Sequence, residues 1–231
     1  MQINKLLTPY NFYNTNNPKK NKYIVIHYTG NPTGDAKAHC EYYASGPLNA
    51  SAHYFVGYKG DVWQSVEDED SAWHCGAKIY KHLFCRNTNS IGVEMCCRQT
   101  KDGTWYFEEA TVSSTIELVK ELMKKYNIPL SHVIRHYDVT GKICPEPYVR
   151  NKAAWQAFKD RLAGPKVPFL VRVLVDDLNY RSKPEMGNNI NGQTGKGVFT
   201  IVQVSADGEW GKLKSGAGWI YIANPAYIQK L

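Results

Sequence analysis

Tyr23-Ile24-Val25-Ile26-His27 is the stretch that decides the fold. An apolar run with three β-branched residues in succession reads as a buried strand. Working outward, residues 35–44 read as a short helix. His53-Tyr54-Phe55-Val56-Gly57-Tyr58 and Asp61-Val62-Trp63-Gln64 flank Lys59-Gly60 as a hairpin, and Ile91-Gly92-Val93-Glu94-Met95 reads as a further strand. Val112, Ile116, Val119, Leu122, Met123 and Tyr126 mark one apolar helix face, which Asn127 and Pro129 bring to a stop. Val133-Ile134-Arg135-His136 restarts a short strand, and residues 151–162 form a last helix. Strands interleaved with helices predict an α/β domain, a mixed central sheet flanked by helices.

Composition changes at Gly164-Pro165-Lys166-Val167-Pro168. Beyond it the chain holds only short strand-like runs, such as Phe169–Val173, Val198–Val202 and Gly218–Ile222, separated by turn residues such as Gly187-Asn188-Asn189 and Asp207-Gly208. About 65 residues of this kind predict a small all-β, SH3-like barrel. The expected domains are therefore 1–163 and 164–231.

The 231 residues, 43% hydrophobic and 21% charged, exclude a disordered chain. No apolar run is long enough for a membrane-spanning helix, so no membrane insertion is expected. The net charge of +7 suits an anionic partner. Residues 164–231 carry 8 basic and 5 acidic side chains, leaving 20 and 16 in the first part; neither half is a polyanion-binding tail, and no nucleic-acid partner is expected. The start, Met1 to Pro9, lacks the apolar stretch of a secretory signal, which predicts synthesis in the cytoplasm. Six cysteines without a CxxC pair are too few for a disulfide scaffold, and most read as small buried residues.

Three side chains are candidate zinc ligands. His27 closes the first strand. His136 and Cys144 are eight residues apart, across a Gly-containing loop that can fold back so that both face one point. Two imidazoles and a thiolate suit Zn²⁺, and three protein ligands leave a fourth tetrahedral position open. The His-x7-Cys spacing alone does not separate this from hydrogen-bonded structural histidines.

The runs Ile26-His27-Tyr28-Thr29, Ser51-Ala52-His53-Tyr54, Trp73-His74 with Gly76, Ser90-Ile91-Gly92-Val93-Glu94, and His136…Lys142-x-Cys144-Pro145 occur together in this order. This set resembles the zinc-dependent type 2 N-acetylmuramoyl-L-alanine amidases, relatives of the peptidoglycan-recognition proteins, and especially the phage endolysins among them. The resemblance implies a zinc site at His27, His136 and Cys144, a catalytic Glu94 and an assisting Lys142. It also implies cleavage of the amide between the N-acetylmuramic acid lactyl group and L-alanine. His53 and His74 are expected to contact substrate or to support the ligands. Some relatives carry a catalytic-site tyrosine where this chain has Ala52, so Glu94 would have to serve alone.

Leu178-Asn179-Tyr180-Arg181-Ser182-x-Pro184, with Trp210-Gly211-Lys212-Leu213 and Gly218-Trp219-Ile220, resembles the bacterial SH3 domains. That implies anchoring on peptidoglycan, with a Gram-positive wall expected, through aromatics such as Tyr180, Trp210, Trp219 and Tyr221; at least half of these are expected in the barrel core. An endolysin made without a signal would reach the wall by holin-dependent release. Two rivals are a Cys/His wall peptidase with Cys144 as nucleophile and a zinc-free peptidoglycan-binding protein. Binding alone needs neither Cys144 nor Glu94, and Cys144, preceding Pro145, lacks the helix N-terminal setting that lowers a thiol pKa.

Overall fold

A computed structural model describes residues 1–14, 21–205 and 207–231. The chain forms two compact units, Met1–Leu162 and Ala163–Leu231.

In the first unit the strand Tyr23–Tyr28 lies inside a six-stranded mixed sheet. It pairs in parallel with Ser90–Met95 on one side and Val133–Arg135 on the other. Beyond Ser90–Met95 come Tyr54–Val56, parallel, then Val62–Gln64, antiparallel, and at the edge Ile3–Lys5, parallel. The edge strand Ile3–Lys5 carries one large apolar residue and no turn signal, so its three residues alone do not announce a strand.

Side chains alternate across a strand, so the two faces of this sheet receive different residues. Ile24, Ile26, Ile91, Val93 and Met95 face one way, into a core completed by Ile116, Leu118, Val119 and Leu122 of α2 (Glu109–Tyr126) and Phe158 and Leu162 of the helix Lys152–Ala163. Phe55 and Trp63 pack on the other face with Ala36, Cys40 and Tyr43 of α1 (Ala36–Ala44). Asp35 caps α1, its carboxylate accepting from the Lys37 N–H. Asn127 ends α2 in the left-handed conformation (φ 53°), two residues ahead of Pro129, as its sequence predicts.

Asp68, 2% exposed, ties the hairpin to α2. Its carboxylate accepts from the hydroxyls of Tyr54 (2.7 Å) and Tyr126 (2.6 Å) and from Lys125 Nζ (2.9 Å). Its carbonyl oxygen accepts from Asn21 Nδ2 at 3.0 Å.

The second unit is a seven-stranded antiparallel sheet running from Ile190–Gln193 through Asn179–Arg181, Trp219–Tyr221, Trp210–Leu213, Gly197–Val204 and Phe169–Val173 to Ile228–Lys230. It wraps its own core, which includes Val171, Ile201, Leu213, Ile220 and Ile228. This is the all-β architecture expected of an SH3-like domain.

Replacing Asp68 with alanine leaves two tyrosine hydroxyls without their acceptor. Urea denaturation followed by far-UV circular dichroism should show a loss of about 2–3 kcal/mol in the first unit.

Candidate active site

Register builds the site. Ile24 and Ile26 point to α2, so Val25 and His27 point away from it; by the same alternation Gly92 and Glu94 leave the α2 core that Val93 and Met95 enter. His27 is paired directly with Glu94 across the two parallel strands. His136 opens the short helix α3 (His136–Thr140), which follows the Val133–Arg135 strand on the opposite side of His27.

Gly141 ends α3 with φ 87°, a left-handed turn that reverses the chain. The Tyr137 N–H then donates to the Cys144 carbonyl oxygen at 2.8 Å, closing the loop expected from the eight-residue spacing. The result is that one ligand atom from each of His27, His136 and Cys144 lies within 4.8 Å of the others, all three residues being buried. His27 Nδ1 is 3.7 Å from Cys144 Sγ and 3.7 Å from Glu94 Oε1. The His27 and His136 ring centres are 4.7 Å apart.

Burial governs the electrostatics. It drives the His27 pKa well below the ordinary range, helped by His136, His74 and Lys142. The same cause takes His136 down to about 4, with Lys142 adding to it. Both imidazoles are therefore neutral at pH 7, and the His27–Glu94 contact is not an ion pair. Burial pushes the Cys144 thiol up, and Glu94 pushes it in the same direction. Glu94 rises to about 8 because its carboxyl is desolvated, Lys142 offsetting part of the rise. Two atoms here, Glu94 Oε2 and His136 Nδ1, are buried with no hydrogen-bond partner.

Lys142 is exposed on the loop between Gly141 and Cys144, within electrostatic reach of Glu94, His27 and His136. His53 and His74, expected to contact substrate or to support the ligands, are buried and engaged inside the protein. His53 Nδ1 accepts from the Gly92 N–H at 2.9 Å, and its Nε2 lies 3.2 Å from the Asp70 carbonyl oxygen. His74 Nδ1 lies 3.0 Å from His27 Nε2.

Tyr28, to which no sequence motif assigns a role, donates its hydroxyl to Glu146 Oε2 at 3.3 Å and packs its ring edge-on against Trp105. Nor does a motif announce the cavity of about 710 Å³ bordered by Trp105, Tyr106, Phe107, Glu146, Tyr148 and Arg161, which does not include the His/His/Cys cluster. The aromatic hairpin that borders it had no alternation long enough to be read as strands.

Chemically, two neutral imidazoles and a thiol can hold a divalent cation of borderline softness, beside a carboxyl whose pKa is raised to about 8 and an exposed ammonium. The profile of the N-acetylmuramoyl-L-alanine amidase family matches residues 17–147, and the chain belongs to that family. It is 32% identical over 196 residues to the N-acetylmuramoyl-L-alanine amidase CwlL of Bacillus licheniformis, covering 81% of this chain and 49% of that one. With the amidase BlyA of Bacillus subtilis (strain 168) the identity is 30% over 239 residues, covering 87% and 62%. The chain thus spans about half to three-fifths of the length of these two relatives. Among solved structures it is similar to PlyL (28% identity, TM-score 0.57, 72% of this chain and 100% of that one). The catalytic domain of XlyA gives 27%, a TM-score of 0.55, and coverage of 70% and 99%.

The raised Glu94 pKa has a stability consequence for the metal-free protein. Between pH 4.5 and about 8 the folded chain holds a proton that the unfolded chain has released, so this contribution falls as pH rises. Glu94→Gln removes it while leaving the histidines in place. In a chelator, the variant should be more stable than wild type at pH 8 by on the order of a few kcal/mol, and the gap should close at pH 4.5 in paired denaturation curves.

Proposed function

We propose that this chain is a peptidoglycan hydrolase that cleaves the amide between N-acetylmuramic acid and L-alanine, with zinc held by His27, His136 and Cys144. The observation that carries the reading is the convergence of those three buried donors within 4.8 Å. The fit to zinc is supported by the donor set and by His136 Nδ1, a buried nitrogen otherwise without a partner. When bound, zinc supplies a Lewis acid and lowers the pKa of its water to about 7.

The chain's own residues then have separate tasks. Glu94, as the carboxylate that a neighbouring cation would favour, takes a proton from the attacking water and returns it to the departing amine nitrogen. Lys142 directs positive charge at the oxygen of the scissile carbonyl as negative charge develops there. A nucleophilic Cys144 is disfavoured, because its thiol is buried and its pKa is raised rather than lowered.

The second unit is proposed to hold the enzyme on the wall, Gram-positive walls being the expected target. Of the aromatics read as contact residues, Trp210 is buried at 3% exposure and Tyr180, Trp219 and Tyr221 are half-buried. A cavity of about 320 Å³ lined by Trp210 and Tyr221 together with Asp177, Arg181 and Tyr227 is the proposed contact surface. Release from the cytoplasm through a holin belongs to the same proposal. Among the described residues no helix is long and apolar enough to cross a membrane.

The substitution series tests the assignment. Cys144→Ser or His136→Ala should lose bound zinc and activity together. Glu94→Ala should keep about one zinc per chain while turnover falls roughly 10²–10⁴-fold, and Lys142→Ala should keep zinc with a loss of about 10²–10³-fold. Metal analysis and mass spectrometry of digested peptidoglycan read these outcomes. Stem peptides with a free L-alanine amine are the expected product, and their absence would refute the cleavage site.

Anchoring is tested separately with residues 1–163 alone. Soluble muropeptides should be cut at the full-length rate, while lysis of intact walls at low enzyme concentration should drop about tenfold or more as the local concentration from the anchor is lost.

A further inference from the structure

His27 uses only one ring nitrogen in the cluster. Nδ1 faces Cys144 and Glu94, and Nε2 meets His74 Nδ1 at 3.0 Å. On its far side His74 Nε2 lies 3.1 Å from Ser90 Oγ, and Ser90 Oγ donates to the Arg86 carbonyl oxygen at 2.7 Å.

The direction of every bond in this row follows from its last member. A carbonyl oxygen only accepts, so the single Ser90 hydroxyl proton points at Arg86. The bond from His74 must then be donated by Nε2–H, which leaves His74 Nδ1 bare in the neutral ring. A bare Nδ1 accepts, so His27 carries its proton on Nε2 and presents an unprotonated Nδ1 to the cluster.

The sheet makes room for this row. A Cβ at position 92 would lie 2.5 Å from His74 Cγ and 2.7 Å from its Nδ1, closer than packed atoms allow. Gly92 sits two residues before Glu94, on the same face of the strand, and its missing side chain is the space that the His74 ring fills.

We propose that His74 is a positioning residue for His27: anchored through Ser90 on the Arg86 carbonyl and seated over Gly92, it selects the His27 tautomer whose free Nδ1 faces the metal-binding cluster. The proposal rests on the metal reading above. Of the two roles expected of His74, substrate contact or support of the ligands, it takes the second and gives it a specific form exerted through His27, of the kind that outer hydrogen-bond partners play for metal-bound imidazoles.

Wild-type protein labelled with ¹⁵N in its imidazoles supplies the first test. Long-range ¹H–¹⁵N spectra of the metal-free chain at pH 7.5 should show His27 and His74 both protonated at Nε2, and Ser90→Ala should turn the His27 signal into a mixture of tautomers. Zinc affinity, measured by competition with a chromophoric chelator, should fall about 10–100-fold in His74→Phe, which fills the space and offers no acceptor. His74→Asn, whose Oδ1 can accept from His27 Nε2–H, should recover most of that loss. Gly92→Ala should weaken zinc binding in the same direction by displacing the ring.

A wild-type His27 protonated at Nδ1 would overturn the proposal. So would His74→Phe binding zinc as tightly as wild type while KM alone rises, the signature of a substrate contact. If His74→Phe does not fold by circular dichroism, the wild-type and Ser90→Ala spectra decide the matter. A chain showing both Nε2–H tautomers but binding no zinc would refute the metal reading and uphold the hydrogen-bonded row.

Discussion

Parallel pairing of Tyr23–Tyr28 with Ser90–Met95 sets His27 beside Glu94, and the rest of the site is arranged around that pair. A slip of one residue would turn Glu94 into the α2 core and bring Val93 or Met95 to the cluster. The register is held by Ile24, Ile26, Ile91, Val93 and Met95, all fully buried beneath α2 and the helix Lys152–Ala163. Packing on one face of the sheet thus fixes chemistry on the other. The carboxyl is carried there against its own solvation preference, since Oε2 has no hydrogen-bond partner.

One cause, desolvation, acts on the four central groups and leaves them uncharged without a cation. It lowers the imidazole pKa values and raises those of the thiol and the carboxyl. The metal-free cluster is therefore short of positive charge yet rich in donor atoms. A divalent ion would reverse the balance for Cys144 and Glu94, since its charge favours the thiolate and carboxylate that burial disfavours. Lys142 does part of this already, opposing the rise at Glu94. Its exposed position lets it do so without the desolvation that holds the other groups neutral.

Much of this was legible in the sequence because local rules and tertiary packing agree. The β-branched run at 24–26, the spacing along α2 and the stop at Asn127 each describe a preference that the fold satisfies. The return from His136 to Cys144 could be read because Gly141 permits the left-handed turn that the reversal needs. The histidines at 53 and 74 show where such reading ends. Their partners are main-chain atoms and side chains distant in sequence, and residue type alone does not say whether an imidazole meets solvent, substrate or a carbonyl oxygen. The aromatics of the second unit present the same difficulty: Trp210 is nearly sealed while Tyr227, unremarked in the sequence, is 42% exposed.

The site also divides by the stiffness of what carries each group. His27 and Glu94 stand on adjacent strands buried in the sheet, and His136 opens a helix directly continuous with a third. Cys144 belongs to a loop, but its position is pinned by the Tyr137 N–H on its carbonyl oxygen and by its own N–H on the Lys142 carbonyl oxygen. Lys142, two residues earlier, has an exposed side chain. The four central groups are thus braced by the sheet or tied to it, whereas Lys142 extends from an exposed part of the loop. A braced donor set limits the reorganisation required when charge develops beside it, and an ammonium on an exposed side chain carries no burial cost.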